Sequence, residues 1–77
     1  MTHEKEIREM LEKAIRIVMK GRHPSISYIQ SRLDCGYRNA YELMAAMERY
    51  GIVSPQPKNG SRTILVDNYL EAIDRLR

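Results

Sequence analysis

Residues 27 to 54 read SYIQSRLDCGYRNAYELMAAMERYGIVS, and this stretch decides how the whole chain folds. Ser27-x-x-Gln30 has the spacing of a capping box, so a short helix is expected over 27–33 with Ile29 and Leu33 turned inward. Asp34-Cys35-Gly36 supplies a turn, with Gly36 giving the backbone freedom that a reversal needs. A longer helix is expected over 37–50. At ~100° per residue, Ala40, Leu43, Met44 and Met47 gather on one side of it, and Arg38, Glu42, Ala45 and Arg49 on the other. Small Ala45 and Ala46 would let the backbone approach a groove closely. Gly51 stops that helix and Ile52-Val53 begins a strand. The order describes a helix-turn-helix running into a β-hairpin, in which the second helix can enter the DNA major groove.

Upstream, Ile7, Leu11, Ala14, Ile15 and Val18 recur at three- and four-residue steps, with Met10 and Met19 widening the stripe. This predicts a helix over 3–20, with Thr2 as N-cap and Glu4 and Glu6 near its positive end. Arg8, Lys13, Arg16 and Lys20 lie off the stripe and read as a solvated face. Gly21 and Pro24 close the helix. His23-Pro24-Ser25-Ile26 follows as an extended connector in which Ile26 is a candidate for a very short strand. Downstream, Pro55 to Gly60 is rich in turn formers, Asn59-Gly60 being the strongest local turn signal. Ser61 to Val66 reads as the return strand, so residues 52–66 make a wing on a sheet edge. Asp67 is placed to cap a final helix over 68–77 whose apolar face is Leu70, Ile73 and Leu76 or Tyr69. A helix this short is marginal alone and must dock on the domain or on another copy of the chain. The predicted architecture is one domain, mainly α with a small β-hairpin. It is a winged helix-turn-helix of three helices plus wing, with an added C-terminal helix.

Composition narrows the function. The chain has 77 residues, 43% hydrophobic and 30% charged, which suits one soluble domain with a small core. No apolar run approaches the length that spans a bilayer, so a cytoplasmic location without membrane contact is expected. Cys35 is the single cysteine and cannot form an internal disulfide. His3 and His23 lack metal-ligand spacing, and the acidic residues fall on helix surfaces rather than as a convergent pair. No enzymatic activity, metal or cofactor is expected. The net charge is +3, with a pI of about 9.2, which permits nucleic-acid binding. With no Trp or Phe, the stacking platforms of a single-strand binder are missing.

The run SISYIQSRLDCGYRNAYELMAAMERYGIVS, followed by NGSRTILV, resembles the gamma domain of the FtsK/SpoIIIE DNA translocases. The similarity covers Ser25 to Val66 and rests on the Gly36-Tyr37 helix start, the MExxGIVS exit and the NGxR turn. The resemblance implies a winged helix that binds double-stranded DNA, reads short G-rich polar sequences and contacts the tyrosine recombinase XerD. That family reads GYNRAAR at the start of the recognition helix, where this chain has Gly36-Tyr37-Arg38-Asn39-Ala40-Tyr41-Glu42. The family's base-contacting Asn and second Arg are here Arg38 and Glu42, and a later acidic position is Ala45. The resemblance therefore carries the fold and the DNA-facing surface, and not the family's target sequence. No GxxxxGK[ST] phosphate loop occurs in these residues, so they contain no motor.

The expected function is a small sequence-specific double-stranded DNA-binding protein acting as a regulator. Arg38 is placed to reach a guanine edge, Asn39 an adenine and Glu42 a cytosine amino group. Arg49, Ser25, Ser27 and Tyr37 are candidates for the phosphate backbone. Lys58, Asn59 and Arg62 would add contacts from the wing. A single domain buries little area, so a homodimer through the C-terminal helix is the expected route to tight binding. The alternative is a protein-interaction winged helix that binds a tyrosine recombinase or another DNA-processing protein. Glu42 in the middle of the reading face favours that alternative.

Overall fold

The apolar stripe from Ile7 to Met19 winds into a 20-residue helix, α1 (Thr2–Gly21). In the computed structural model residues 2–76 are described, with side chains from Lys5 onward. Thr2, expected as the N-cap, is already the first helical residue; the side chains of Thr2, His3 and Glu4 lie outside the described set, as does Arg77. Leu11, Ala14, Ile15, Val18 and Met19 are buried as the three-four spacing demands. Beyond Gly21, Arg22 takes a left-handed turn with φ 53°, and His23 N–H reaches the Val18 carbonyl at 3.3 Å.

The second helix, α2 (Ile26–Leu33), begins one residue before the expected start. Its N-cap is Ser25, whose Oγ accepts from the Tyr28 N–H at 3.1 Å, so the predicted Ser27 capping box does not form. Ile26 is therefore the first helical residue and not a strand. The shift has a packing cause. With Ser25 as the cap, Ile26 joins buried Ile29 and half-buried Leu33 at i, i+3 and i+7 on one inward face. At the other end Asp34 adopts φ 53°, ψ 48°, and both its N–H and that of Cys35 reach the Gln30 carbonyl. The reversal thus sits on Asp34, a residue type that tolerates the left-handed region. Gly36, expected to supply it, has φ −72° and serves as the N-cap of the next helix.

That helix, α3 (Tyr37–Arg49), buries Ala40, Leu43, Met44, Ala46 and Met47. Ala46 therefore belongs to the core side, not to the outward face. Tyr50 is the C-cap, and Gly51 follows at φ 75°. A side chain at Gly51 would be strained in that conformation and would lie 2.9 Å from Arg75 Nη1. α1 packs on both α2 and α3, and α2 packs on α3. Their shared core also takes in Ile52, Val53 and Val66.

The predicted wing is not a β-hairpin. Among the described residues there is no strand, only one isolated antiparallel bridge between Val53 and Ile64. Two bonds flank it, Ser54 N–H to the Thr63 carbonyl at 2.9 Å and Leu65 N–H to the Ile52 carbonyl at 2.8 Å. The ladder cannot continue because Pro55 and Pro57 have no N–H to donate. Asn59-Gly60 does not form the tight hairpin turn either. That turn needs positive φ at both residues, and here only Gly60, at 98°, has it. Side chains close the loop instead. Gln56 Nε2 donates to the Gly60 carbonyl at 3.0 Å, and Ser54 Oγ accepts from the Thr63 N–H at 2.8 Å.

The chain ends in α4 (Tyr69–Asp74), shorter than the predicted 68–77. Asn68, rather than Asp67, caps it, its Oδ1 accepting from the Glu71 N–H at 2.9 Å. Glu71 Oε1 in return accepts from the Asp67 N–H at 2.9 Å. α4 docks on α1. Ala72 and Leu76 are buried and Tyr69 and Ile73 half-buried there, whereas Leu70, predicted to face inward, is 77% exposed.

Candidate nucleic-acid interface

Because five residues anchor one side of α3, its other side is held toward solvent. Arg38 stands at the helix start with a side chain 92% exposed, its Nε 3.9 Å from Oε1 of Glu42 one turn on. Asn39 between them is half-buried. Glu42 continues into Ala45 and Arg49, and these three line a groove of about 480 Å³. The far wall is α1, which contributes Ile7, Arg8 and Leu11. Arg8 had read as part of a solvated face, yet it shares this groove with Arg49. Its Nη2 donates to the Leu76 carbonyl at 3.4 Å.

Of the backbone-contact candidates, Ser25 has its hydroxyl engaged as the α2 cap, while Ser27 is exposed. Tyr37 is exposed on the first turn of α3, its ring 6.3 Å from that of Tyr41 and inclined by 30°. Lys58 and Asn59 are exposed at the tip of the loop. Arg62 is not presented in the same way. Its side chain is 11% exposed, and Nη1 bonds Glu48 Oε1 at 2.8 Å and the Ser54 carbonyl at 3.1 Å. It clasps the loop to the end of α3.

Further cations gather where α1 runs into α2. The Arg32 guanidinium lies 5.1 Å from the Tyr28 ring, and His23 meets the same ring edge-on at 4.8 Å. Exposed Lys20 and Arg22 are their neighbours in the chain. The Tyr28-to-Arg32 spacing of four was visible in the sequence as a signal for this pair. Charge is also unevenly distributed. Residues 13–66 hold nine Lys and Arg against three Asp and Glu, while both flanks are acidic; the excess comes from the second half of α1 with the connector after it and from the loop, since residues 26–49 hold three of each sign. Arg16 stands apart from this set. Its pKa is raised, chiefly by its hydrogen bond to Tyr69, whose ring it covers at 4.8 Å, and it belongs to the α1–α4 seam.

Among the described residues, no three His, Cys, Asp or Glu side chains converge as a metal site would require, and no helix is long and apolar enough to cross a membrane. The architecture is that of a small helix-turn-helix domain whose second helix turns a polar face to solvent. Residues 5–67 match the family described as Ftsk gamma domain, and the chain belongs to that family. It is 44% identical over 57 residues to DNA translocase FtsK 1 of Neisseria meningitidis, covering 74% of this chain and 7% of that protein. It is 46% identical over 59 residues to DNA translocase FtsK of Bradyrhizobium diazoefficiens, covering 77% of this chain and 7% of the relative. With DNA translocase FtsK of Rickettsia typhi the figures are 47% over 57 residues, 74% and 8%. The chain therefore spans less than a tenth of the length of these relatives.

Proposed function

We propose that this domain binds double-stranded DNA with the exposed face of α3 in the major groove, and that it does so without catalysis. The observation that carries the reading is the face itself. Burial of Ala40, Leu43, Met44, Ala46 and Met47 leaves Arg38, Glu42, Ala45 and Arg49 together on the other side. The basic excess of residues 13–66 supports it, as does the name of the relatives, DNA translocase, which gives DNA as what those proteins act on. Arg38, Asn39 and Glu42 are the base-reading residues of the proposal. Arg49, Lys58, Asn59 and the α2 N-terminus with Ser25 and Ser27 are its backbone contacts. A sequence-reading domain acts as a regulator where its occupancy of a site controls a neighbouring protein, and this is the finer role proposed.

The test is a salt titration of duplex binding followed by selection from a random duplex pool. The reading predicts log K falling linearly with log salt, with a slope of roughly −0.9 per phosphate contacted. It also predicts a defined consensus. Folded protein that binds no duplex at low salt would sink it.

One observation favours a second reading, docking of a protein such as a tyrosine recombinase. The groove beside α3 is lined by Ile7, Leu11, Ala46 and Leu76, apolar surface that DNA does not require. In that case Ile7→Lys would abolish association with the recombinase in sedimentation while leaving duplex affinity intact.

A further inference from the structure

We propose that Tyr41 is a specificity-determining residue of the α3 face, its ring packing against the C5-methyl groups of thymines in the major groove. This rests on the duplex-binding reading and extends it to a residue that composition and periodicity passed over. Large apolar side chains exposed among the described residues are Tyr37, Tyr41, Tyr50, Leu65 and Leu70, and three of these five are tyrosines of α3 or its cap. Tyr41 follows Arg38 by three residues and precedes Ala45 by four, so on the helix surface it adjoins both. The residue is 53% exposed and adds nothing to the core.

The surroundings make it a reading surface rather than an isolated aromatic. The Tyr37 ring supports it from one side at 6.3 Å, which limits the orientations it can take. On the other side Tyr41 borders the same groove as Ala45 and Arg49. Small Ala45 lets the helix backbone come close to base edges, and that brings the neighbouring ring within reach of them. Arg38 and Arg49 flank it with positive charge suited to guanine or phosphate. The ring itself is apolar and flat. Of the groups the four base pairs show in the major groove, only the thymine methyl is apolar, so it is the complement of this ring.

The experiment uses the duplex selected from the random pool, remade with deoxyuracil replacing each thymine in turn. Affinities are measured for the unaltered domain, Tyr41→Ala and Tyr41→Phe. Removing one contacted methyl should weaken the unaltered domain and Tyr41→Phe by about fourfold, the worth of one buried methyl-sized group. Tyr41→Ala should not distinguish the two duplexes. Tyr41 lies outside the core, so Tyr41→Ala should fold, and Tyr41→Phe retains the ring in any case. The proposal is overturned if no thymine-to-uracil change alters binding, if Tyr41→Ala keeps the methyl dependence, or if the selected site contains no thymine. Each of those outcomes leaves duplex binding standing. Failure to bind any duplex removes both.

Discussion

The α3 helix and the loop between Ser54 and Thr63 each carry arginines that the sequence offers equally as DNA contacts, and the structure treats them oppositely. Arg38 on α3 is almost wholly exposed, with only a long 3.9 Å approach to Glu42. Arg62 in the loop is almost wholly covered and makes two short bonds. The reason lies in what holds each region. α3 is anchored by five buried apolar residues, so Arg38 is not needed to hold it in place. The loop has one bridge and no strand, and a cation has to help hold it in place. Arg38 stays available for recognition because apolar packing already holds its backbone, whereas Arg62 is occupied in holding the loop.

Substitutions can break this contrast, beginning with the anchor. Leu43→Ala removes a fully buried side chain from α3 and should cost about 2–5 kcal/mol in chemical denaturation, with binding lost only through unfolding. Arg38→Ala should leave stability within about 0.5 kcal/mol, while discrimination at one base pair of the selected site falls by about 1–3 kcal/mol. Equal affinity of this variant and the unaltered domain for every single-base change would remove Arg38 from the reading face. Arg62→Ala should do the reverse, destabilising by about 1–2 kcal/mol because the Ser54 carbonyl loses its donor. The exposed Glu48 half of that pair adds little, as solvent screens it. Hydrogen exchange at the Thr63 and Leu65 amides should quicken in that variant, and unchanged exchange would show that the clasp is dispensable. The smallest effect is expected of Lys58→Ala. It should leave the thermal midpoint unmoved, weaken all duplexes alike and reduce the salt slope by about one phosphate.

Much of the helical framework was legible because periodicity reports burial directly. Ile29, Ala40, Leu43, Met44 and Met47 were placed inward by spacing and are buried. Turn chemistry was less legible, since it depends on which of several competent residues the packing selects. Ser25 and Ser27 can both cap α2, and only the gain from turning Ile26 inward decides for Ser25. Likewise Asp34 and Gly36 can both reverse the chain, and the left-handed residue is Asp34. Leu70 and Tyr69 competed for the inner face of α4, and the position of α1 selects Tyr69 with Ala72 and Ile73. Of the two routes expected for this helix, α4 takes docking on its own domain, and Leu70 stays exposed.

From the sequence alone came the order of the helices, the inward face of α3 and the resemblance to the translocase gamma domain that the family match confirms. All three follow from local spacing and motif, which act over a few residues at a time. Tertiary structure alone decided that the expected strands are a loop closed by side chains. It also decided that Arg62 faces inward to Glu48, and that Arg8 of α1 shares a groove with Arg49 of α3. Those outcomes depend on which surfaces meet across the chain, and a side chain's role follows the neighbours that folding brings to it.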